Sequence, residues 1–326
     1  MSKCIGLSGL LNLGNSCFLN SIIQCLNYSK EFSKFLDNDE LQVKDNSNGK
    51  MIIEYNELRK LMTAQNCIIS PKRFYKYFMD CAKDNERDNF LYYQQNDAGE
   101  CLQFILEMFH NSLSRPVNID IKGKIQDNTD KIAKECFSVH KKFYENDYSE
   151  LLNIFSAIQV TNVINKSTNK TSSVICEPYM TLMLPIPIKV KNESIHLIDC
   201  FNLYVQEENL EKHSKSTKFW SLPNTLIIIL NRFFNSNLRK NQVCVEFDHN
   251  SILDLSNYVI GYNKGQYKYK LYAVCNHSGG LEGGHYSAYV KTNKWYHLND
   301  DTIEELGKHK IISQKAYILF FEKIKV

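Results

Sequence analysis

The chain has 326 residues, with 39 lysines and arginines against 36 aspartates and glutamates, a net charge of +3, and 43% hydrophobic and 23% charged residues. That length suffices for one large or two average domains with a substantial core. Near-neutral charge with scattered basic residues excludes the electrostatic footprint of a nucleic-acid or membrane-surface binder, and no apolar run reaches the roughly 18–20 residues of a membrane helix.

The opening "MSKCIGLSGLLNLG" has a basic start and a short apolar run, but Asn12 and Asn15 interrupt it and no small-residue cleavage site follows, so a secretory leader is not expected. No appended targeting domain is expected either. The stretch "GNSCFLNSIIQCL", Gly14 to Leu26, sets Gly, Asn and Ser in a tight turn before Cys17. Leu19, Ile22, Ile23 and Leu26 then follow the period of one buried helical face. A second helix is predicted in "DAGECLQFILEMFHNSL", where Asp97 stands as N-cap with Glu100 three residues on. Leu102, Ile105, Leu106 and Phe109 repeat the apolar period, so the first third reads as mostly helical. Residues 115–130, punctuated by Pro116 and Gly123, read as a loop, followed by a helix in "DKIAKECFSVHKKFY". The character then changes. "IQVTNVI", "TLMLPIPIKV", "TLIIILNRFF", "QVCVEF", "YKYKLYAVCNH", "HYSAYVK" and "AYILFFEKI" read as strands, with a hairpin tip at "NKSTNKTSS". Helices first and strands afterwards predict an α+β fold with antiparallel sheet. Eleven cysteines, an odd number without repeated spacing, read as reduced thiols of an intracellular protein, cytoplasmic or nuclear. No Gly-rich phosphate loop follows a strand.

Cys17 stands where loop gives way to helix, where unpaired N–H groups and the helix dipole favour thiolate and predict a lowered pKa. By itself it is equally readable as a small apolar residue filling a helix start. A cysteine nucleophile needs a histidine base, and the base needs an orienting partner. In "NHSGGLEGGHYSAYVKTNKWYHLNDDTI", His285 follows Gly283 and Gly284, which allow close approach of another chain. The next strand, from Trp295, ends at Asn299, Asp300 and Asp301, and antiparallel pairing returns this trio beside His285 to hold its tautomer. His277 and His297 compete, but neither has both the flanking glycines and the polar return.

"GLSGLLNLGNSCFLNSIIQCL" resembles the cysteine box of the ubiquitin-specific proteases, and "GGHYSAYVK" with "KWYHLNDD" resembles their histidine box. "QNDAGECLQFIL" and "LPNTLIIILNRF" resemble two further family motifs in the same order, and the four span nearly the whole chain. The resemblance implies a papain-like cysteine protease fold in a single domain over residues 4–325. A helical thumb would cover about 4–115, and β-rich fingers and palm about 150–325. It implies Cys17 as nucleophile, His285 as general base, Asn299 at the third triad position, Asp300 as the acidic neighbour that shares or replaces the orienting role, and Asn12 as oxyanion donor. Asn12 reads equally as a turn residue without the resemblance. Asp97 and Glu100 match positions near the basic, Gly-Gly-ending tail of ubiquitin, beside their reading as helix cap and N3 residue. Gly283 and Gly284 would line the narrow channel.

The implied activity is that of a thiol isopeptidase acting on ubiquitin or ubiquitinated proteins, expected as a monomer without cofactor. A protease for a ubiquitin-like modifier and a non-catalytic ubiquitin-binding module are the alternatives. Ser16 and Asn96 depart mildly from the pattern. The family's two Cys-x-x-Cys pairs should fall near residues 165–168 and 208–213. Neither place has a cysteine, so the fingers are expected to lack zinc.

Overall fold

The computed structural model describes residues 6–92, 94–188, 194–233, 240–280, 283–307 and 311–324. The predicted domain limits, Cys4 and Lys325, lie outside the described residues, as do Lys189, Val190 and Phe234 at the ends of two predicted strands. The helical part contains Cys17–Asn27, Lys30–Leu36, Ser47–Ala64, Lys72–Asp84 and Ala98–Leu113. Their starts are chemically marked. Ser29 accepts from Phe32 N–H, Asn46 from Gly49 N–H and Asp97 from Gly99 and Glu100 N–H, each satisfying donors that the first helical turn leaves unpaired. Phe32, Tyr55, Phe78, Phe90, Phe104 and Phe109 interlock edge-on or tilted at centroid distances of 5.1 to 6.1 Å, which ties these helices into one core.

An eight-stranded sheet stands against them. Its main path runs Thr302–Glu305, Trp295–Asn299, Gly284–Lys291, Lys268–Gly279, Ala316–Lys323, Thr225–Asn231, Leu182–Pro185. Pairing is antiparallel except between the last two, which are parallel. The run "TLIIIL" has no polar alternation because both faces of the sheet are covered. Ile227 and Ile229 enter the core shared with the helices, as do Ile318 and Phe320. Leu226, Ile228, Leu230, Leu319 and Phe321 point the other way, under helix Leu197–Val205. A second sheet orders Lys170–Tyr179, Ala157–Asn165, His213–Phe219 and Glu208–Asn209, and helix Asn128–Tyr144 packs Ala133 and Cys136 onto it beside Cys176 and Trp220.

The α+β expectation holds, with two local corrections. "TLMLPIPIKV" contributes only Leu182–Pro185, because Pro185 and Pro187 have no N–H to extend a ladder, and it joins the large sheet rather than the smaller one. "QVCVEF" keeps its alternation only in part, with Val245 and Phe247 buried and Val243 exposed, and its Val245–Glu246 pairs with Ile195–His196. At the tip of the smaller sheet, Asn165 lies opposite His213, so both predicted knuckle positions are adjacent. There Lys166 reaches across to the Leu210 carbonyl at 2.7 Å, and among the described residues no group of three or more metal-ligating side chains forms.

Candidate active site

Helix Cys17–Asn27 is buried along its whole length between the helical core and strand Gly284–Lys291. Cys17, its first residue, is only 4% exposed. The backbone N–H groups of Tyr286, Phe18 and Cys17 itself act to favour its thiolate. Burial nevertheless outweighs these donors, and with a smaller repulsion from Asp300 it pushes the thiol above its ordinary value. The lowered pKa expected from the helix start is therefore reversed: the donors are present, but desolvation of the charge costs more.

His285 is brought in by the antiparallel pairing of Gly284–Lys291 with Trp295–Asn299, as the sequence pattern predicts. Its Nε2 donates to Asn299 Oδ1 at 2.5 Å, which leaves Nδ1 as the lone-pair nitrogen. Among the described residues the ring bonds Asn299 and not Cys17. The two competing histidines are each held against an aromatic ring. His277 is buried and stacked on Tyr286 at 4.5 Å, with burial driving its pKa down to about 4. His297 packs edge-on against Tyr289, and burial lowers its pKa too.

Asp300 does something different from Asn299. It occupies the left-handed region at φ 50°, turning the chain from Trp295–Asn299 into Thr302–Glu305. Its Oδ2 accepts from Asn12 Nδ2 at 2.9 Å and its Oδ1 from Asn20 Nδ2 at 2.8 Å, while its carbonyl accepts from Leu10 N–H at 2.8 Å. The expectation that Asp300 shares or replaces Asn299 at the histidine differs from what is seen: Asp300 bonds Asn12 in the loop before Cys17 and Asn20 on the helix itself, while His285 bonds Asn299. Asn12 is held from both ends. Its Oδ1 accepts from Gly14 and Ser16 N–H, at 3.0 and 3.2 Å, which fixes Nδ2 toward Asp300 and leaves its second amide hydrogen for another acceptor.

Asp97 is a cap in full. Oδ1 accepts from Gly99 and Glu100 N–H at 2.7 and 3.0 Å, and the Tyr317 hydroxyl approaches both carboxylate oxygens, at 3.0 and 2.9 Å. Glu100 keeps an exposed carboxylate one turn into the helix. Asp97→Ala is expected to cost about 2 kcal/mol, the N-cap plus a buried-hydroxyl partner. The melting temperature should fall by several degrees in a thermal unfolding scan, and an unchanged melting temperature with a raised KM would instead make it a substrate contact.

A cleft of about 90 Å³ opens beside Cys17, bordered by Asn15, Gln95, Asp97, His277, Gly284 and Tyr286. Gly284 is required there because a Cβ would lie 2.2 Å from His277 Nε2 and 2.7 Å from the Ser278 carbonyl. Gly283 is exposed; its carbonyl accepts from Gly280 N–H at 3.0 Å, and a Cβ added there would meet Gln95 Oε1 at 3.4 Å. Sequence reasoning missed Asn20, Gln95 and Tyr286 as site residues. Asn20 left a signal, an amide one residue after the apolar Leu19 on a helix that is buried throughout, and it is 3% exposed; Tyr286 left none, since its contribution is a backbone N–H.

The profile of the family described as ubiquitin carboxyl-terminal hydrolase matches residues 8–321. The Drosophila melanogaster ubiquitin carboxyl-terminal hydrolase Usp2 is 30% identical over 98% of this chain and 35% of its own length. Human ubiquitin carboxyl-terminal hydrolase 2 is 29% identical over 97% of this chain and 55% of its own. The chain thus spans between about a third and about half of these relatives. Among solved structures, a chain of the SAGA Ubp8/Sgf11/Sus1/Sgf73 DUB module bound to ubiquitin aldehyde has the same fold at TM-score 0.73 and 21% identity, covering 100% of this chain and 71% of that one. A chain of the yeast SAGA DUBm matches at TM-score 0.74 and 22% identity, covering 100% and 70%. A profile that runs from the first short strand to the last, with similarity along the same span, means that the chain belongs to the ubiquitin carboxyl-terminal hydrolase family.

Proposed function

We propose that this chain is a thiol-dependent isopeptidase that hydrolyses the bond after the C-terminal glycine of ubiquitin, with ubiquitin or ubiquitinated proteins as its partners. The observation that carries the proposal is the strand Gly284–Lys291, in which the Asn299-held His285 is followed by Tyr286, whose backbone N–H favours the Cys17 thiolate. Family membership supports the reaction class. In this reading Cys17 Sγ attacks the glycine carbonyl as His285 Nδ1 takes its proton, a concerted start that suits a buried thiol. The free amide hydrogen of Asn12 and the Cys17 N–H stabilise the oxyanion. His285 then gives the proton to the departing lysine amine. Water, deprotonated by the same nitrogen, attacks the thioester and releases Cys17. Asn299 holds the tautomer throughout, and the exposed Glu100 is the carboxylate free to meet the basic tail. The described cysteines are all free, which suits thiol chemistry in a reducing cytoplasmic or nuclear setting, and no described helix is long and apolar enough to cross a membrane.

A ubiquitin probe with a thiol-reactive C-terminus is the test. One adduct is expected, mapped by mass spectrometry to Cys17 and abolished by Cys17→Ala. An adduct on Cys25 or on no cysteine would overturn the assignment, and preferential labelling by a ubiquitin-like probe would move the substrate.

A further inference from the structure

Strand Gly284–Lys291 is paired along one edge from Gly284, opposite Gly279, to Val290, opposite Ala273. On its other edge, pairing begins only at Ala288, opposite Leu298. Alternate residues of an antiparallel strand direct their N–H groups to the same edge, so those of Gly284 and Tyr286 face the side left unpaired beside the nucleophile. A side chain of the helical half occupies the first: Gly284 N–H donates to Gln95 Oε1 at 3.1 Å, while the Tyr286 N–H favours the Cys17 thiolate. Gln95 Nε2 donates onward to Asn15 Oδ1 at 3.4 Å on the opposite wall of the cleft. The Gln95 carboxamide thus does what one peptide unit of an added strand would do, accepting from the open edge and donating away from it.

We propose that Gln95 is a specificity-determining residue whose side-chain amide fills the slot of a substrate peptide unit and must be displaced before an extended tail can pair with Gly284. The proposal rests on the isopeptidase reading of Cys17. Gln95 is exposed, so it can swing outward without opening the core. The displacement replaces one hydrogen bond by another at Gly284 but forfeits the bond to Asn15. A substrate with a folded body makes that up through contacts far from the cleft. A short peptide ending in two glycines has no such contacts and meets Gln95 as a barrier.

The experiment compares kcat/KM for full-length ubiquitin and for a short Gly-Gly-ending peptide, both carrying the same fluorogenic amide, in the wild-type chain, Gln95→Ala and Gln95→Met. Both variants should raise kcat/KM for the peptide about fivefold, the size of one neutral hydrogen bond. The gain should lie in KM, with kcat and melting temperature unchanged and a smaller gain for ubiquitin. Methionine keeps the bulk without the amide, so a gain with alanine alone would overturn the peptide-mimic argument in favour of simple crowding. A fall or no change for the peptide in both variants would overturn the proposal and make Gln95 a residue that holds the tail or does nothing to it. A wild-type chain that cleaves neither substrate would remove the isopeptidase reading together with this one, whereas cleavage of both with unresponsive variants removes this one alone.

Discussion

His285→Ala is expected to lower kcat by about three orders of magnitude while leaving KM for ubiquitin substrates within a few-fold, because proton transfer by a positioned base contributes roughly 10²–10⁴ in rate. The size of the loss follows from the state of Cys17. A thiol raised by burial supplies little thiolate on its own at neutral pH, so the base has to take the proton as the sulfur attacks. No neighbour can stand in. His277 is locked under Tyr286 with its pKa near 4, and His297 faces Tyr289. Asn299→Ala should lose less, since the ring keeps its place on the strand and gives up only the partner that sets its tautomer. Steady-state and single-turnover rates on a ubiquitin amide measure both, and a His285→Ala kcat within tenfold of wild type would remove His285 from the chemistry.

Asp300→Ala should lower kcat by about a hundredfold, close to the loss from deleting an oxyanion donor outright. Its carboxylate holds Asn12 and Asn20 together; without it the Asn12 amide is fixed only through its oxygen, on the turn at Gly14 and Ser16. Asn299 and Asp300 are neighbours in sequence but act on different partners, so their effects should nearly add. Asn12 and Asp300 share one bond, and their double variant should be little worse than either single. A superadditive Asn299–Asp300 cycle would return Asp300 to the histidine.

Much of this site was legible because its residues carry chemistry in side chains at marked places. Cys17 sits where an apolar helical period begins, His285 follows two glycines, and Asn299 ends the next strand. What was not legible depends on tertiary distance. Nothing in the string "NDD" says that Asn299 faces the sheet while Asp300, turned by its positive φ, faces a loop near residue 12. The Cys17 pKa was misread for the same reason, since a helix start is local but burial by a strand 270 residues away is not. Helix Ser47–Ala64 escaped the apolar period because its inner face includes Glu54 and Arg59, each buried and paired with a charged partner, Arg73 and Asp37.

The bond between Asn12 and Asp300 spans 288 residues, and the Leu10–Asp300 backbone bond beside it spans a similar length. Contacts of such sequence separation form late, after local structure and after the chain segments that carry them exist. During synthesis the ribosome releases Cys17 long before Asn299 and Asp300. Until the hairpin of Trp295–Asn299 and Thr302–Glu305 docks, the nascent protein carries a thiol with neither an oriented base nor a tethered oxyanion amide. On the isopeptidase reading, competence for the reaction therefore arrives with the docking of that hairpin.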